Sequence, residues 1–350
     1  MNREPSPLHL SVVISTYNRA DVLPRALDSL LHQDLDPARY EVVVVDNNST
    51  DHTRQVVQPF SGKAPSVRYV FEPRQGVSYG RNTGIATARA PIVAFTDDDV
   101  RVSHNWASTI LTVLAAHPEV ACAGGKVLPN WAGAWPPWLT REHWGPLALV
   151  DYGDTAFYVN GRKRICLITA NVAYRREVFD RIGMFSPHVQ TLGREVATED
   201  HEILLRLWRA GGQGLYWPHL TVTADIVPKR MRRRYHRRWH HRHGRFSAIM
   251  HDEDLEVTNL GRFLGVPAHV YRRTAADLSG WIGQVLRGDL TKAFTNEVGI
   301  WFCIGFLKTR WREFFSGRTE ICHTGVTAPA ESATDRAPDR RPASRPNGRD

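Results

Sequence analysis

Pro91-Ile92-Val93-Ala94-Phe95-Thr96-Asp97-Asp98-Asp99 is a short apolar run that ends, without a spacer, in three carboxylates. A run of this length and composition reads as a strand buried on both faces, as in a parallel sheet. The same rhythm repeats upstream. Ser11–Ser15 is β-branched and runs into the polar turn Thr16-Tyr17-Asn18-Arg19, after which Val22, Leu23, Ala26, Leu27, Leu30 and Leu31 form a helical stripe. Glu41–Val45 is a second strand that ends in Asp46-Asn47-Asn48-Ser49-Thr50-Asp51, and Val67–Phe71 is a third. A glycine-containing loop and a helix over roughly 78–88 then lead back to the opening stretch. This order predicts an α/β fold with a doubly wound, mostly parallel sheet and helices on both faces. Ligands of such sheets bind beyond the carboxyl ends of the strands, which selects the loops at 16–19, 46–51 and 96–99.

Downstream the pattern loosens. Trp131, Trp135, Trp138 and Trp144 mark an aromatic loop region, and strand-like Ile165–Thr169 leads to Ala170-Asn171 and a helix near 175–182. Thr198-Glu199-Asp200 opens an amphipathic helix with Ile203, Leu204, Leu207 and Trp208 on its apolar face, closed by Gly211-Gly212. Two or three helices are expected over 258–315, and a Pro/Ala/Arg/Asp tail from about 324 is expected to be disordered.

Three consecutive carboxylates repel one another, and hard oxygen ligands suit Mg²⁺ or Mn²⁺, which bridge the phosphates of a nucleotide. The alternative for Asp97–Asp99 is an acidic, solvent-facing turn. Glu199 and Asp200 have a plain alternative as well, since acids at a helix start complement its dipole and cap free amides. The two roles are compatible, with Thr198 or Glu199 capping while Asp200 points into a cleft.

Taken in order, these stretches resemble the family 2 glycosyltransferases, whose catalytic domain has the GT-A fold. The resemblance covers about residues 9–250. Val12 to Arg19 is similar to the family's opening strand and nucleotide-contacting turn, and Val44 to Asp51 to its second strand and base-binding acid. Gly76 with Arg81-Asn82-Thr83-Gly84 resembles the Gly-x-x-x-x-Arg-Asn-x-Gly helix start. Thr96 to Asp99 resembles the Asp-x-Asp metal motif, and Ala170-Asn171-Val172-Ala173-Tyr174-Arg175-Arg176 the strand beneath the acceptor. Thr198-Glu199-Asp200 is similar to the segment with the catalytic base. The resemblance implies inverting transfer of a sugar from a nucleotide diphosphate donor to an acceptor hydroxyl. Asp200 would be the base, and Asp97 and Asp99 would hold a divalent metal, Mg²⁺ or Mn²⁺. Thr16, Asn18, Asp46, Arg81 and Asp97 would contact the nucleotide, and Asp98 would assist or bind the ribose. A structural role in a turn or an ion pair is the alternative for Asn18 and Arg81.

The expected organisation is an amino-terminal tail over 1–8 and a GT-A-like catalytic domain over 9–250, with a nucleotide-sugar half to about 125 and an acceptor half from there. A helical extension over 251–320 and a disordered tail over 321–350 complete it. Two departures from the family pattern stand out. Ala224 occupies a position where many relatives have a metal-binding histidine, leaving Asp225, His219 or water to substitute. Tyr235-His236-Arg237-Arg238-Trp239 stands where processive synthases carry Gln-x-x-Arg-Trp, and no run approaches the roughly 18 apolar residues of a membrane span. Single-sugar transfer is therefore expected.

The formal charge of +9 is concentrated in residues 229–245. That block reads as a solvated helix face, or as a surface for substrate phosphates or anionic lipid. No nucleic-acid module surrounds it, so nucleic acid is not an expected partner. Ile300, Trp301, Ile304, Phe306, Leu307, Trp311, Phe314 and Phe315, mixed with Lys308, Arg310 and Arg312, suit an interfacial amphipathic helix or packing against the catalytic domain. Four scattered cysteines and the absence of a signal-like apolar run predict a cytosolic protein, and the basic block with the 300–315 segment predicts a peripheral place on the cytosolic membrane face. The expected partners are the nucleotide-sugar donor, a saccharide or lipid-linked acceptor, and an anionic membrane surface. A soluble acceptor is the alternative within the class. A nucleotidyltransferase is disfavoured because Val13–Arg19 has no glycine for a phosphate loop. A pure polyanion-binding module would need the acid cluster to be inert.

Overall fold

The structure is a computed structural model that describes residues 8–62, 64–131, 133–191, 199–252, 255–256 and 261–317. Its first part alternates as the apolar runs require: β1 (Leu10–Thr16), α1 (Leu23–Leu31), β2 (Tyr40–Asp46), α2 (Thr53–Val57), β3 (Ser66–Phe71), α3 (Val77–Thr87) and β4 (Ile92–Phe95). β1 pairs in parallel with β2 and β4, and β2 pairs in parallel with β3. Val12, Val13, Ile14 and Val42 to Val45 are fully buried, because crossover helices cover a parallel sheet on both faces.

After β4 come β5 (Val100–Val102), α4 (Trp106–Ala116), β6 (Cys122–Trp131), β7 (Phe157–Val159), β8 (Val172–Arg175), α5 (Glu177–Ile182), α6 (Pro187–Thr191), α7 (Glu199–Arg209) and β9 (Gly214–Ile226). The sheet order among the described residues is β3-β2-β1-β4-β8-β6-β9-β5, with β7 on β9. This half is mixed: β8 runs antiparallel to β4 and β6, and β5 and β7 run antiparallel to β9, while β6 and β9 are parallel. The predominantly parallel sheet thus ends at β4. Only Thr96–Asp99 separates β4 from β5, too short a link for a parallel crossover, so the acid cluster forms the corner between the two halves.

The strand expected at Ile165–Thr169 does not form. Leu167 is buried, but Thr169–Asn171 winds into a 3₁₀ turn and the paired strand begins at Val172. Asn171 explains the break. Its amide donates to the carbonyls of Lys126 and Leu220, each at 2.8 Å, beside a register shift in β6, and accepts from the Trp106 indole at 2.8 Å.

The carboxyl-terminal region is helical: α8 (Arg233–Ile249), α9 (Ala268–Leu286) and α10 (Leu290–Ser316), with α10 packed along both others. Gly244 and Gly305 make the α8–α10 crossing close. A Cβ on Gly244 would meet the Phe302 carbonyl at 1.9 Å, and one on Gly305 the His241 carbonyl at 1.8 Å. Phe294 and Val298 join the main core, and Phe306 and Leu307 form a second cluster with Ala248, Val266 and Val270. The 300–315 segment therefore packs on the domain through one face, while Phe314 and Phe315 are exposed. No described helix is long and apolar enough to cross a membrane. Residues 1–7, Thr198 and the tail from 318 lie outside the described residues, and with them Thr198 as a cap and the expected disorder over 321–350.

Candidate active site

The loops at 16–19 and 46–51 are stapled together by Asn18. Its backbone is left-handed, with φ 51°, a conformation asparagine tolerates. Its side-chain oxygen accepts from the amides of Thr50 at 2.7 Å and Asp51 at 3.3 Å, and its own amide donates to Ser49 Oγ at 2.9 Å. Asp46, at the end of β2, is buried and accepts from the Ser49 amide at 2.9 Å and the Tyr69 hydroxyl at 2.7 Å. Asn47, which the sequence reading did not single out, accepts from the Gly76 amide at 2.7 Å and donates to the Arg74 carbonyl at 2.6 Å. It thereby sets the start of α3. Gly84 of α3 lets that helix sit directly on β1, since a Cβ there would meet Val13 Cγ1 at 2.2 Å.

At the corner after β4, Thr16 Oγ1 donates to Asp98 at 2.7 Å, and Arg19 bridges Asp98 and Asp99 at 3.8 and 2.9 Å. Arg19 was not foreseen as a partner of the acid cluster. Burial pushes Asp97 up to about 6, with Asp99 and Asp200 adding to the shift against the pull of Arg81. Burial likewise pushes Asp98 up to about 7, against Arg19 and the Thr16 hydrogen bond. Arg19, Arg81 and, more weakly, Arg230 offset the charge of the cluster, and Asp97 keeps 40% of its side chain open. Among the described residues no three acids, imidazoles or thiols converge into a closed metal site. A Mg²⁺- or Mn²⁺-type ion shared with substrate phosphates needs only one or two protein carboxylates. The donor set at Asp97 and Asp99 fits that use.

Arg81 is buried and commits its guanidinium to carboxylates. It contacts Glu199, lies 3.2 Å from Asp200 and 3.6 Å from Asp97, and sits over the Phe185 ring. Asp200 Oδ1 also accepts from Thr169 Oγ1 at 2.7 Å. Burial, then the neighbouring Glu199, push Asp200 up to about 6, with Arg81 and Thr169 opposing. Asp200 is part of the wall of a 420 Å³ cavity that Tyr152, Ile168, Tyr235 and Trp239 also line. A carboxylate with this affinity for protons, facing a cavity of sugar-binding size, can act as a general base near neutral pH.

A family model described as glycosyl transferase family 2 matches residues 11–183, from within β1 to the end of α5. Residues 11–183 belong to glycosyltransferase family 2. Over 116 residues the chain is 43% identical to validoxylamine A glucosyltransferase of Streptomyces hygroscopicus subsp. limoneus, a match covering 33% of this chain and 25% of that protein. Over 184 residues it is 28% identical to the glycosyltransferase AglE of Haloferax volcanii, covering 51% and 57%. The chain thus spans from a quarter to somewhat over half the length of these relatives. The solved mannosyltransferase PcManGT of Pyrobaculum calidifontis, in complex with GDP-Man and Mn²⁺, is similar in fold. Its TM-score is 0.55 at 18% identity, over 86% of this chain and 88% of that one.

Ala224, expected to replace a family histidine, lies on β9. Ala224 pairs with Val100, and the Asp225 amide donates to the Asp99 carbonyl at 3.1 Å. The Asp225 carboxylate is held by Arg101 and Asn130, both at 2.7 Å, and by Arg25 at 3.3 Å. His219 packs near Trp217, with the ring centres 6.3 Å apart. Of the two side chains considered as substitutes for the histidine, Asp225 thus has its carboxylate held by other partners. Trp239, the last residue of the Tyr235–Trp239 motif, lines the Asp200 cavity.

Proposed function

We propose that this chain transfers a single sugar from a nucleotide diphosphate donor to an acceptor hydroxyl, with inversion at the anomeric carbon, in surface polysaccharide or glycolipid assembly. Arg81 carries the proposal. One guanidinium lies within 3.6 Å of Asp97 and 3.2 Å of Asp200, so the acids suited to the donor diphosphate and the carboxylate suited to the acceptor flank a single side chain. The side chains of Arg81 and Thr169 both bond Oδ1 of Asp200, and Oδ2 is the oxygen proposed to meet the acceptor. As the acceptor oxygen bonds to the anomeric carbon, Oδ2 takes the hydroxyl proton. The bond from that carbon to the diphosphate breaks, and its electron pair leaves with the nucleoside diphosphate. Asp97 and Asp99 would hold Mg²⁺ or Mn²⁺, which supplies positive charge for the leaving diphosphate. Asp46 would contact the base or ribose, while Thr16 and Asn18 act by fixing the loops around it. The name of the Streptomyces relative supports a second reading, a soluble acceptor in the same cavity.

Thermal melts with UDP, GDP and their sugars, with and without Mn²⁺, test the donor side. At least one diphosphate should raise Tm only with metal, by the equivalent of about 3 kcal/mol at a hundredfold excess over Kd. Asp97→Ala and Asp99→Ala should abolish that rise. A rise that survives EDTA and both substitutions would contradict the metal assignment.

A further inference from the structure

Burial along α9 is inverted. The side it turns to α10 is polar or small: Arg273 lies over the Phe302 ring, and a Cβ on Gly280 would meet Asn296 Oδ1 at 2.8 Å. Asp277 lies there too, since a Cβ on Gly299 of α10 would meet its Oδ2 at 2.5 Å. Val270 alone of the helix's 19 residues is buried. The apolar side chains face the other way. Leu278, Ile282, Val285 and Leu286 follow the i, i+4, i+7, i+8 spacing of a single helix face, and all four are exposed, Leu286 at 83%. The surface continues past both ends of this stripe. Leu290 on the α9–α10 turn is 56% exposed. Tyr271, seven residues before Leu278 and so on the same face, donates to the Phe263 carbonyl at 3.0 Å, and Phe263 is 64% exposed. From Tyr271 to Leu286 the ridge is about 20 Å long. An amphipathic helix ordinarily turns its apolar stripe to the core, so one that packs through its polar side leaves the stripe for another body.

The charges along the ridge say which body. Arg272 and Arg287 are exposed and flank the stripe on the side away from α10, and Lys292 is exposed just beyond the turn. Residues 262–292 contain only two acids, and both are engaged elsewhere. Asp277 lies against α10, and Asp289 caps that helix by accepting from the Lys292 amide at 3.0 Å. A second copy of the chain fits this face poorly. Antiparallel two-fold packing of one stripe on another sets Arg272 of one copy against Arg287 of the other, twice over, and like charges so placed repel. An anionic lipid surface suits both features, because acyl chains take the apolar ridge while arginine stems reach back to the headgroups. We propose that the outward face of α9 is a membrane-docking surface that seats the chain on anionic lipid. No described helix is long and apolar enough to cross a bilayer, so α9 lies in the plane of the headgroups. The lipid contact thereby moves from the 300–315 segment, which packs on the domain, to the neighbouring helix. It stands independently of the sugar-transfer reading.

Flotation of the full chain with phosphatidylglycerol or phosphatidylcholine vesicles, at low and high salt, tests it. The wild-type chain should float with phosphatidylglycerol at low salt, far less with phosphatidylcholine, and release at high salt, where screening weakens the arginine contribution. The double substitution L278Q/I282Q should weaken binding to phosphatidylglycerol about tenfold or more, the effect of withholding two apolar side chains from the acyl region. Its Tm should match that of the wild type, since both side chains are exposed. No flotation of the wild-type chain would overturn the proposal, and equal flotation with phosphatidylcholine would overturn the choice of anionic lipid. Undiminished binding by L278Q/I282Q would also overturn it and give the lipid contact to the basic block over 229–245. A Tm several degrees lower in the variant would show that the stripe is covered within the chain itself. A dimer in sedimentation velocity that L278Q/I282Q converts to monomer would assign the stripe to a second copy, and either result would overturn the membrane assignment.

Discussion

Asp200 stands in the first turn of α7, where any carboxylate complements the helix dipole, yet its partners Thr169 and Arg81 come from other elements. Burial has pushed it up to about 6, so at neutral pH it is ionised and still a usable proton acceptor. Asp200→Asn keeps the shape and removes that capacity. Transfer should fall about 10²–10⁴-fold while donor affinity holds, and the wild-type rate should rise with pH through an inflection near 6 as Asp200 loses its proton. Steady-state kinetics across pH check both, and near-normal turnover of the variant would return Asp200 to a purely structural role. Asp46, Asp97 and Asp99 were legible because each lies at the end of an apolar run. Thr169 and Arg19 were not, since a lone threonine or arginine in a loop carries no periodicity, and only the folded chain brings them to the acids. Arg81 was legible as a motif residue, but its company of three carboxylates was not.

α8 places His236, His240 and His243 at intervals of four and three residues, with His143 against His236 and Trp138 and Phe294 packed beside both. Burial pushes His236 down to about 4, and His240 and His243 to about 3, with neighbouring imidazoles adding to each shift. In the unfolded chain such groups take up a proton near pH 6.5. Stability is therefore full above that pH and is lost as pH falls toward the folded values. His236 alone should cost on the order of 2 kcal/mol at pH 5. Melts at pH 7.5 and pH 5 should show a Tm lower by several degrees at pH 5, and a Tm that does not fall would contradict neutral, buried imidazoles. The sequence shows this helix as a charge run, because the arginines between the histidines hide its buried face. Among the strands, β1, β2 and β4 were legible as unbroken apolar runs. β9 was not, since Pro218 and His219 interrupt its alternation, and three-residue β5 is too short to give a pattern.

At the scale of the whole molecule, the proposed reading gives the nucleotide to the parallel block and the acceptor to the mixed half, with the 96–99 corner joining them. α8 and α10 extend the acceptor side, and the burial of Phe294 and Val298 makes α10 part of the same core. The family match ends at residue 183, so Asp200 and β9 lie beyond the matched region. The base and acceptor assignments rest on geometry there, and product stereochemistry tests them. The most direct measurement is proton NMR of the anomeric centre during turnover of the nucleotide sugar identified by the thermal melts, with nucleoside diphosphate release followed in the same tube. Inverting transfer predicts Mn²⁺- or Mg²⁺-dependent release, with each product linkage opposite in configuration to the donor and both signals lost in Asp200→Asn. A product that retains the donor's configuration, or release undiminished in Asp200→Asn, would contradict it.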